Sequence, residues 1–157
     1  MKFSIACAWV WIAAVLGPFA LGQNNVLTLL PAKTVTAKLG GTAEAVLPLK
    51  LEAGYHVNSN TPSDPYFIPL RLTWNQGPLE TVEIVFPPAR TEKFGFSETP
   101  LSVFTGEFRL VTRFKVASAA NLGPAVLTGK LRYQACNDRT CLIPKTIEVT
   151  LPIEIVK

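Results

Sequence analysis

Histidine and cysteine are scarce in this sequence of 157 residues, which has a single histidine and three cysteines. A structural zinc site takes four ligands, mostly cysteine and histidine, and too few are present to complete one. The sequence also has only one histidine and no nucleophile elbow, so it offers no set of catalytic residues for hydrolysis. We therefore expect no resident metal, no cofactor and no hydrolytic activity.

Clusters of like charge are also missing. Fifteen Lys and Arg residues stand against 11 Asp and Glu residues, giving a net charge of +4, and the basic residues are scattered singly. A nucleic-acid groove needs a basic patch, with aromatic side chains among the basic ones where single strands bind. The pattern excludes nucleic-acid binding and is typical of a solvated surface. Internal repeats and low-complexity tracts are absent as well.

The first 22 residues form an apolar segment with the features of a secretory signal. Lys2 precedes an uncharged run over residues 3–16, a Gly-Pro break follows, and small residues stand at Ala20 and Gly22. We predict a signal peptide over residues 1–22 and one domain over residues 23–157. Cys7 lies inside the apolar run and would be removed with it.

An uncleaved membrane anchor is the alternative, because no charge occurs between Lys2 and Lys33. The strongly apolar run is, however, shorter than the roughly 20 residues that span a membrane. We therefore expect export to the periplasm of a Gram-negative-type bacterium and no stable membrane insertion after cleavage. In an oxidising compartment a close pair of thiols forms a disulfide.

The remaining chain is rich in Val, Leu, Ile, Thr and Phe, is divided by Pro and Gly, and lacks helical periodicity. Between residues 106 and 116, apolar residues and Thr alternate with mostly charged ones, as in a half-buried antiparallel strand. Seven such strands predict an all-β, immunoglobulin-like two-sheet antiparallel sandwich, and we expect a monomer. The predicted strands cover residues 34–39, 43–52, 67–74, 79–86, 106–116, 125–135 and 145–156.

Two connections are longer than a sandwich requires, over residues 56–69 and 86–104. Both mix polar residues with aromatic ones, and long loops on rigid sandwiches often carry a binding surface. Ordinary Pro-rich connections whose aromatic rings pack on the core are the alternative. Glu92, Glu98 and Asp138 are interpreted as solvated loop charges.

The stretch "ACNDRTC" places Cys136 and Cys141 between apparent strands, with four residues separating them. A disulfide between them would close a very small ring worth about 2 kcal/mol, which is a weak stabilising link. The spacing of the two cysteines and the oxidising compartment leave three interpretations of the pair open. It is a structural disulfide, a redox pair, or a copper(I) site completed by His56. An isolated histidine in "GYHVN" is more often a packing or loop residue than a ligand.

The stretch "YQACNDRTCLIPKT" resembles the active-site hairpin of the N-terminal periplasmic domain of the thiol:disulfide interchange protein DsbD family. The stretches "AGYHVNSNTPSDPYFIP" and "PLSVFTGEF" are similar to the same family, and the resemblance covers essentially the whole mature chain. In the family the cysteines enclose one residue more than "NDRT", so the geometry of the loop is not transferred in detail.

The resemblance implies a redox function for the cysteine pair. Cys141 would be the sulfur joined to partner proteins, and Cys136 the resolving one. Arg139 would favour the Cys141 thiolate by its charge, and Asp138 would oppose it. A further implication is a shielding loop within residues 91–98.

Aromatic residues around the pair are also implied by the resemblance. Phe94 and Phe96 are both candidates for the shielding ring, while Tyr55 and Tyr133 match aromatic positions beside the site. His56 adjoins Tyr55 and stays a secondary candidate.

The resemblance further implies an electron relay. The domain would accept electrons from a separate membrane electron-carrier protein and pass them to oxidised thioredoxin-like periplasmic proteins, including disulfide isomerases and cytochrome c maturation factors. A non-catalytic sandwich binding module with a structural disulfide and a copper(I)-handling protein remain the alternative functions.

Overall fold

A computed structural model describes residues 25–157, which form twelve β-strands and no helix. Residues 1–24, which include the predicted signal peptide, lie outside the described residues. Among residues 25–157 there is no helix that could span a membrane. The strands are β1 Leu27–Leu29, β2 Val35–Lys38, β3 Thr42–Leu51, β4 His56–Asn58, β5 Arg71–Trp74, β6 Leu79–Val85, β7 Arg90–Glu92, β8 Leu101–Thr105, β9 Glu107–Val116, β10 Gly123–Tyr133, β11 Ala135–Cys136 and β12 Lys145–Val156.

Two four-stranded sheets form the body of the domain, in the orders β1-β3-β9-β6 and β2-β12-β10-β5. All strand pairs in the described residues are antiparallel except β2 with β12, which is parallel. The predicted all-β, immunoglobulin-like sandwich is confirmed. One strand pair departs from the antiparallel pattern, because β2 lies parallel to the last strand, β12.

The core lies between these two sheets because each long strand buries alternate residues. In β9, Leu110, Thr112, Phe114 and Val116 are buried while the residues between them face outward. Thr112 is the polar member of this face, and its hydroxyl accepts a hydrogen bond of 3.0 Å from the indole nitrogen of Trp74. The alternation predicted for this segment is confirmed.

A third sheet, in the order β11-β4-β8-β7, lies where β9 begins and β10 ends. Only Gly106 separates β8 from β9, and only Gln134 separates β10 from β11. The sequence did not predict β4, β7 or β8 and predicted only the first residue of β11, because these strands are two to five residues long and β4 and β11 are buried at every position. A strand buried on both faces shows no polar alternation.

The two long connections are therefore only partly irregular. The first supplies β4 and the second supplies β7 and β8, and both contribute to a small apolar cluster. Phe67 of the first connection packs there against Phe94, Leu101 and Val103 of the second. In contrast, Tyr66 is 91% exposed.

Candidate functional site

The cysteine pair lies in a short hairpin at the edge of the third sheet. Cys136 and Cys141 are joined by a disulfide, with their Cα atoms 3.9 Å apart. Hydrogen bonds flank the pair, from Asn137 N–H to the Thr140 carbonyl and from Leu142 N–H to the Ala135 carbonyl. The cysteines thus face each other in a non-hydrogen-bonded antiparallel pair, the position where opposite side chains come closest.

The loop between the cysteines is held by its first residue. The side-chain oxygen of Asn137 accepts hydrogen bonds of 2.9 Å from the backbone N–H groups of both Arg139 and Thr140. Asn is suited to this position because its short side chain can bond to its own backbone two residues on. Asp138 and Arg139 are exposed at the tip.

The two sulfurs differ in accessibility. Cys136 is only 1% exposed, whereas Cys141 is partly exposed. Cys136 belongs to β11, which pairs with β4 inside the third sheet, and Cys141 lies on the returning arm of the hairpin. Of the two cysteines, the one on the outer arm is therefore the more accessible to solvent.

A tight turn before β4 positions the next two site residues. Tyr55 N–H donates to the Glu52 carbonyl at 3.2 Å, and Gly54 has φ of +82° at the third position of this turn. That conformation is typical of a type II turn and favours glycine. The turn leads directly into β4, where His56 lies opposite Cys136.

His56 is 2% exposed and is covered by the segment that follows β7. The ring of Phe94 stacks on the imidazole at a centroid distance of 3.9 Å with 21° between the planes. Phe96 stacks in turn on Phe94 at 5.7 Å. Phe94 is 9% exposed and Phe96 is 39% exposed, so Phe94 is the inner ring of this stack.

A cavity of about 280 Å³ opens beside His56 and Phe94. It connects the three parts of the site, because the turn before β4, the segment after β7 and the cysteine loop all line it. Three carboxylates contribute to its wall: Glu52 from the turn, Glu92 from the end of β7, and Asp138 from the cysteine loop.

Burial shifts the pKa of two side chains that were proposed for the site from the sequence. It lowers the pKa of His56, and the nearby carboxylates of Glu92 and Asp138 oppose that change. Burial raises the pKa of Tyr133. His56 is therefore neutral at pH 7, and Tyr133 keeps its proton.

Most of the side chains proposed from the sequence come together. Tyr55, His56, Phe94 and Asp138 line the cavity, and Phe96 packs on its edge through Phe94.

Tyr133 and Arg139 do not line the cavity. Tyr133 is buried in the main core, with no hydrogen-bond partner for its hydroxyl among the described residues. Arg139 is exposed at the tip of the cysteine loop.

Glu52 and Glu92 were not proposed as site residues. Glu92 was interpreted as a solvated loop charge, but it is half-buried in β7 and lines the cavity. The available signal was its spacing of two residues from Phe94, which places both side chains on one side of an extended segment. The place of Glu52 in the cavity wall could not be predicted from the sequence, because it depends on the turn that follows β3.

Within residues 25–157 no group of three or more His, Cys, Asp or Glu side chains is arranged to hold a metal ion.

Comparisons with known proteins extend these observations. Residues 23–153 match the family model described as "Thiol:disulfide interchange protein DsbD, N-terminal". A search of curated proteins by sequence finds no match.

Two solved structures resemble the fold. The N-terminal periplasmic domain of ScsB from Proteus mirabilis has 16% identity over 83% of this chain, with a TM-score of 0.59. This chain spans 48% of the length of that ScsB structure. The reduced N-terminal domain of DsbD from Neisseria meningitidis has 15% identity, covering 78% of this chain and 83% of its own, with a TM-score of 0.47.

The family match covers the third sheet, the cysteine hairpin and both main sheets, which is most of the domain. The chain therefore belongs to the family of N-terminal domains of the thiol:disulfide interchange protein DsbD.

Proposed function

We propose that this domain carries out thiol–disulfide exchange in the periplasm at the Cys136–Cys141 pair. It would accept electrons from a membrane electron-carrier protein and pass them to oxidised thioredoxin-like proteins. The observation that carries the proposal is the unequal accessibility of the two sulfurs. A partner can reach the partly exposed Cys141, while the buried Cys136 stays within reach of it for the second step.

The chemistry follows from this arrangement. In the reduced domain, the Cys141 thiolate attacks a partner disulfide and forms a mixed disulfide. Cys136 then attacks the Cys141 sulfur, re-forms the internal disulfide and releases the partner as a thiol. The hairpin favours this second step because it holds the two cysteines opposite each other.

Residues 91–98 act as a lid in this proposal. Phe94 anchors the segment by packing on His56, and the segment shares a cavity wall with the cysteine loop. Within the segment, Ser97 N–H bonds to the Phe94 carbonyl and the Lys93 ammonium bonds to the Glu98 carbonyl. These local bonds allow the segment to move as one unit when a partner displaces it.

The equilibrium with glutathione tests the redox function. We expect the pair to exchange with millimolar mixtures of reduced and oxidised glutathione, with a potential above about −300 mV, the upper bound typical of structural disulfides. The measurement is the fraction of reduced protein at each ratio, read by acid quenching, alkylation and mass spectrometry.

A structural disulfide would give a different result. It would remain oxidised across the same glutathione mixtures, and this outcome would reject the relay in favour of the binding module. Such a ring contributes only about 2 kcal/mol by closing a short loop.

Export gives a separate prediction. We expect the mature protein to begin near Gln23 and to be recovered in the soluble periplasmic fraction, because the apolar run is too short to remain as a spanning helix. Intact-mass spectrometry of the exported protein checks this. Finding residues 1–22 retained in the membrane fraction would contradict the signal-peptide assignment.

A further inference from the structure

His56 combines deep burial with an unpaired polar atom. Its side chain is almost fully buried, and its Nε2 atom has no hydrogen-bond partner among the described residues. Leaving such a group unpaired costs about 1–3 kcal/mol. An apolar ring would pack against Phe94 without this cost, so packing alone does not account for an imidazole here.

The strand register places His56 next to the chemistry. His56 and Cys136 are direct partners in the antiparallel pairing of β4 with β11. Side chains opposite each other in such a pair lie on the same face, with Cβ atoms about 4.5–5.5 Å apart. His56 is therefore the side chain directly across the strand from the buried sulfur.

The oxidised state explains why Nε2 is unpaired. In the disulfide the Cys136 sulfur carries no hydrogen and offers Nε2 no donor. Reduction adds a proton to this sulfur and creates an S–H donor across the strand from the imidazole. This S–H is a donor of the kind that the unpaired nitrogen lacks in the oxidised domain.

We propose that His56 accepts the proton of the Cys136 thiol when Cys136 resolves a mixed disulfide. This assignment rests on the proposed exchange function and names a further residue for it. The proton moves from Cys136 Sγ to Nε2, and Cys136 Sγ bonds to Cys141 Sγ. The bond from Cys141 to the partner breaks, and the departing partner thiolate takes up the proton. The domain loses two electrons, and the partner disulfide gains them.

The Cys136 thiol needs a nearby base to take its proton, because Cys136 is buried away from solvent. Thiols in apolar surroundings ionise less readily than free cysteine, whose pKa is about 8.5. The imidazole is available as a base at pH 7 because burial lowers the pKa of His56. Other ionisable groups facing the same cavity are Glu52, Tyr55, Glu92 and Asp138.

The step can be isolated with a small disulfide, 5,5′-dithiobis(2-nitrobenzoate). Every variant carries Cys7→Ser, so that only the two site cysteines react. Attack by Cys141 on the reagent releases one coloured thiolate at a rate proportional to reagent concentration. Resolution by Cys136 releases a second at a rate independent of it, and Cys136→Ser should release only the first.

We expect His56→Gln to slow the second release about tenfold at pH 7, because a free thiol is only a few per cent ionised there. The first release should be no slower than in the parent, because losing the ring stack on Phe94 loosens the lid and exposes Cys141 further. In the parent, the second rate should be nearly independent of pH around neutrality, because burial holds the pKa of His56 below its ordinary value. In His56→Gln it should keep rising about tenfold per pH unit to beyond pH 8.

Phe67→Leu is the matched control, because it disturbs the small apolar cluster that packs on Phe94 but keeps the imidazole and the ring stacked on it. Its second release should match that of the parent. Equal slowing in Phe67→Leu and His56→Gln would overturn the proposal in favour of a packing role. An unchanged second release in His56→Gln would overturn it as well.

A measurement on the parent protein avoids any dependence on how the variants fold. His56 is the only histidine, so an untagged sample gives one set of imidazole ¹⁵N signals. Reduction should shift the Nε2 signal toward that of a hydrogen-bond acceptor. Identical oxidised and reduced spectra would overturn the proposal.

The relay function and the role of His56 can be rejected independently of each other. A pair that resists glutathione but shows the His56-dependent second release would reject the relay and support the role of His56. A pair that equilibrates with glutathione but resolves independently of His56 would support the relay and reject this inference.

Discussion

Replacing Cys136 with serine is expected to make the protein accumulate mixed disulfides with thioredoxin-like periplasmic proteins. The partly exposed Cys141 still attacks a partner, but no second thiol remains to release the complex. Cys141→Ser should yield roughly tenfold less adduct, because the remaining thiol on Cys136 is 1% exposed and sterically shielded. Acid quenching, alkylation and non-reducing gels of the exported variants measure the adducts.

The comparison needs both variants to be folded. Losing the small ring costs only about 2 kcal/mol, so thermal melts should show both variants folded. Equal trapping by the two would contradict the assignment of Cys141 as the partner-facing sulfur. Trapping by neither folded variant would favour a structural disulfide.

The sequence revealed the two main sheets because their strands are long and half-buried. β9 and β12 have ten and twelve residues, enough for alternation to show which side faces the core. All seven predicted strands overlap observed ones. The largest boundary error was at β5, predicted from Phe67 but observed from Arg71.

The strands of the third sheet could not be predicted from the alternation of buried and exposed residues. Its strands are short, and those beside the cysteines are buried on both faces, so their burial depends on partners distant in sequence. Asn58 looks like a loop residue, yet it is 1% exposed and its amide bonds to the Ile68 carbonyl. Tertiary contacts override local propensity at such positions.

The site was predicted in part, and the reason lies in strand register. The cysteine pair, Tyr55, His56 and the two phenylalanines could be named from short stretches of sequence. Which phenylalanine lies inside depended on the stacking on His56. That His56 lies opposite Cys136 follows only from the pairing of β4 with β11, two strands that the sequence did not reveal.

Removing the inner ring of the lid gives the second large expected effect. Phe94 is buried against His56 and against the small cluster with Leu101 and Val103. Burial of a phenylalanine side chain contributes about 1.5–3 kcal/mol, and a stacked pair adds about 0.5–1.5 kcal/mol. Phe96 is more exposed, and its ring centroid lies 6.3 Å from that of His56, compared with 3.9 Å for Phe94, so its contribution should be smaller.

We therefore expect graded effects on the alkylation of Cys141 by iodoacetamide in a Cys7→Ser, Cys136→Ser background. Phe94→Ala should raise the rate at least about tenfold, because about 2 kcal/mol less stability for the closed lid exposes the sulfur more often. Phe96→Ala should have a smaller effect, and Tyr66→Ala, at a residue 91% exposed, should have none. Near-parent thermal melts would show that the sandwich stays folded. Unchanged alkylation in a folded Phe94→Ala variant would mean that residues 91–98 do not shield the sulfur.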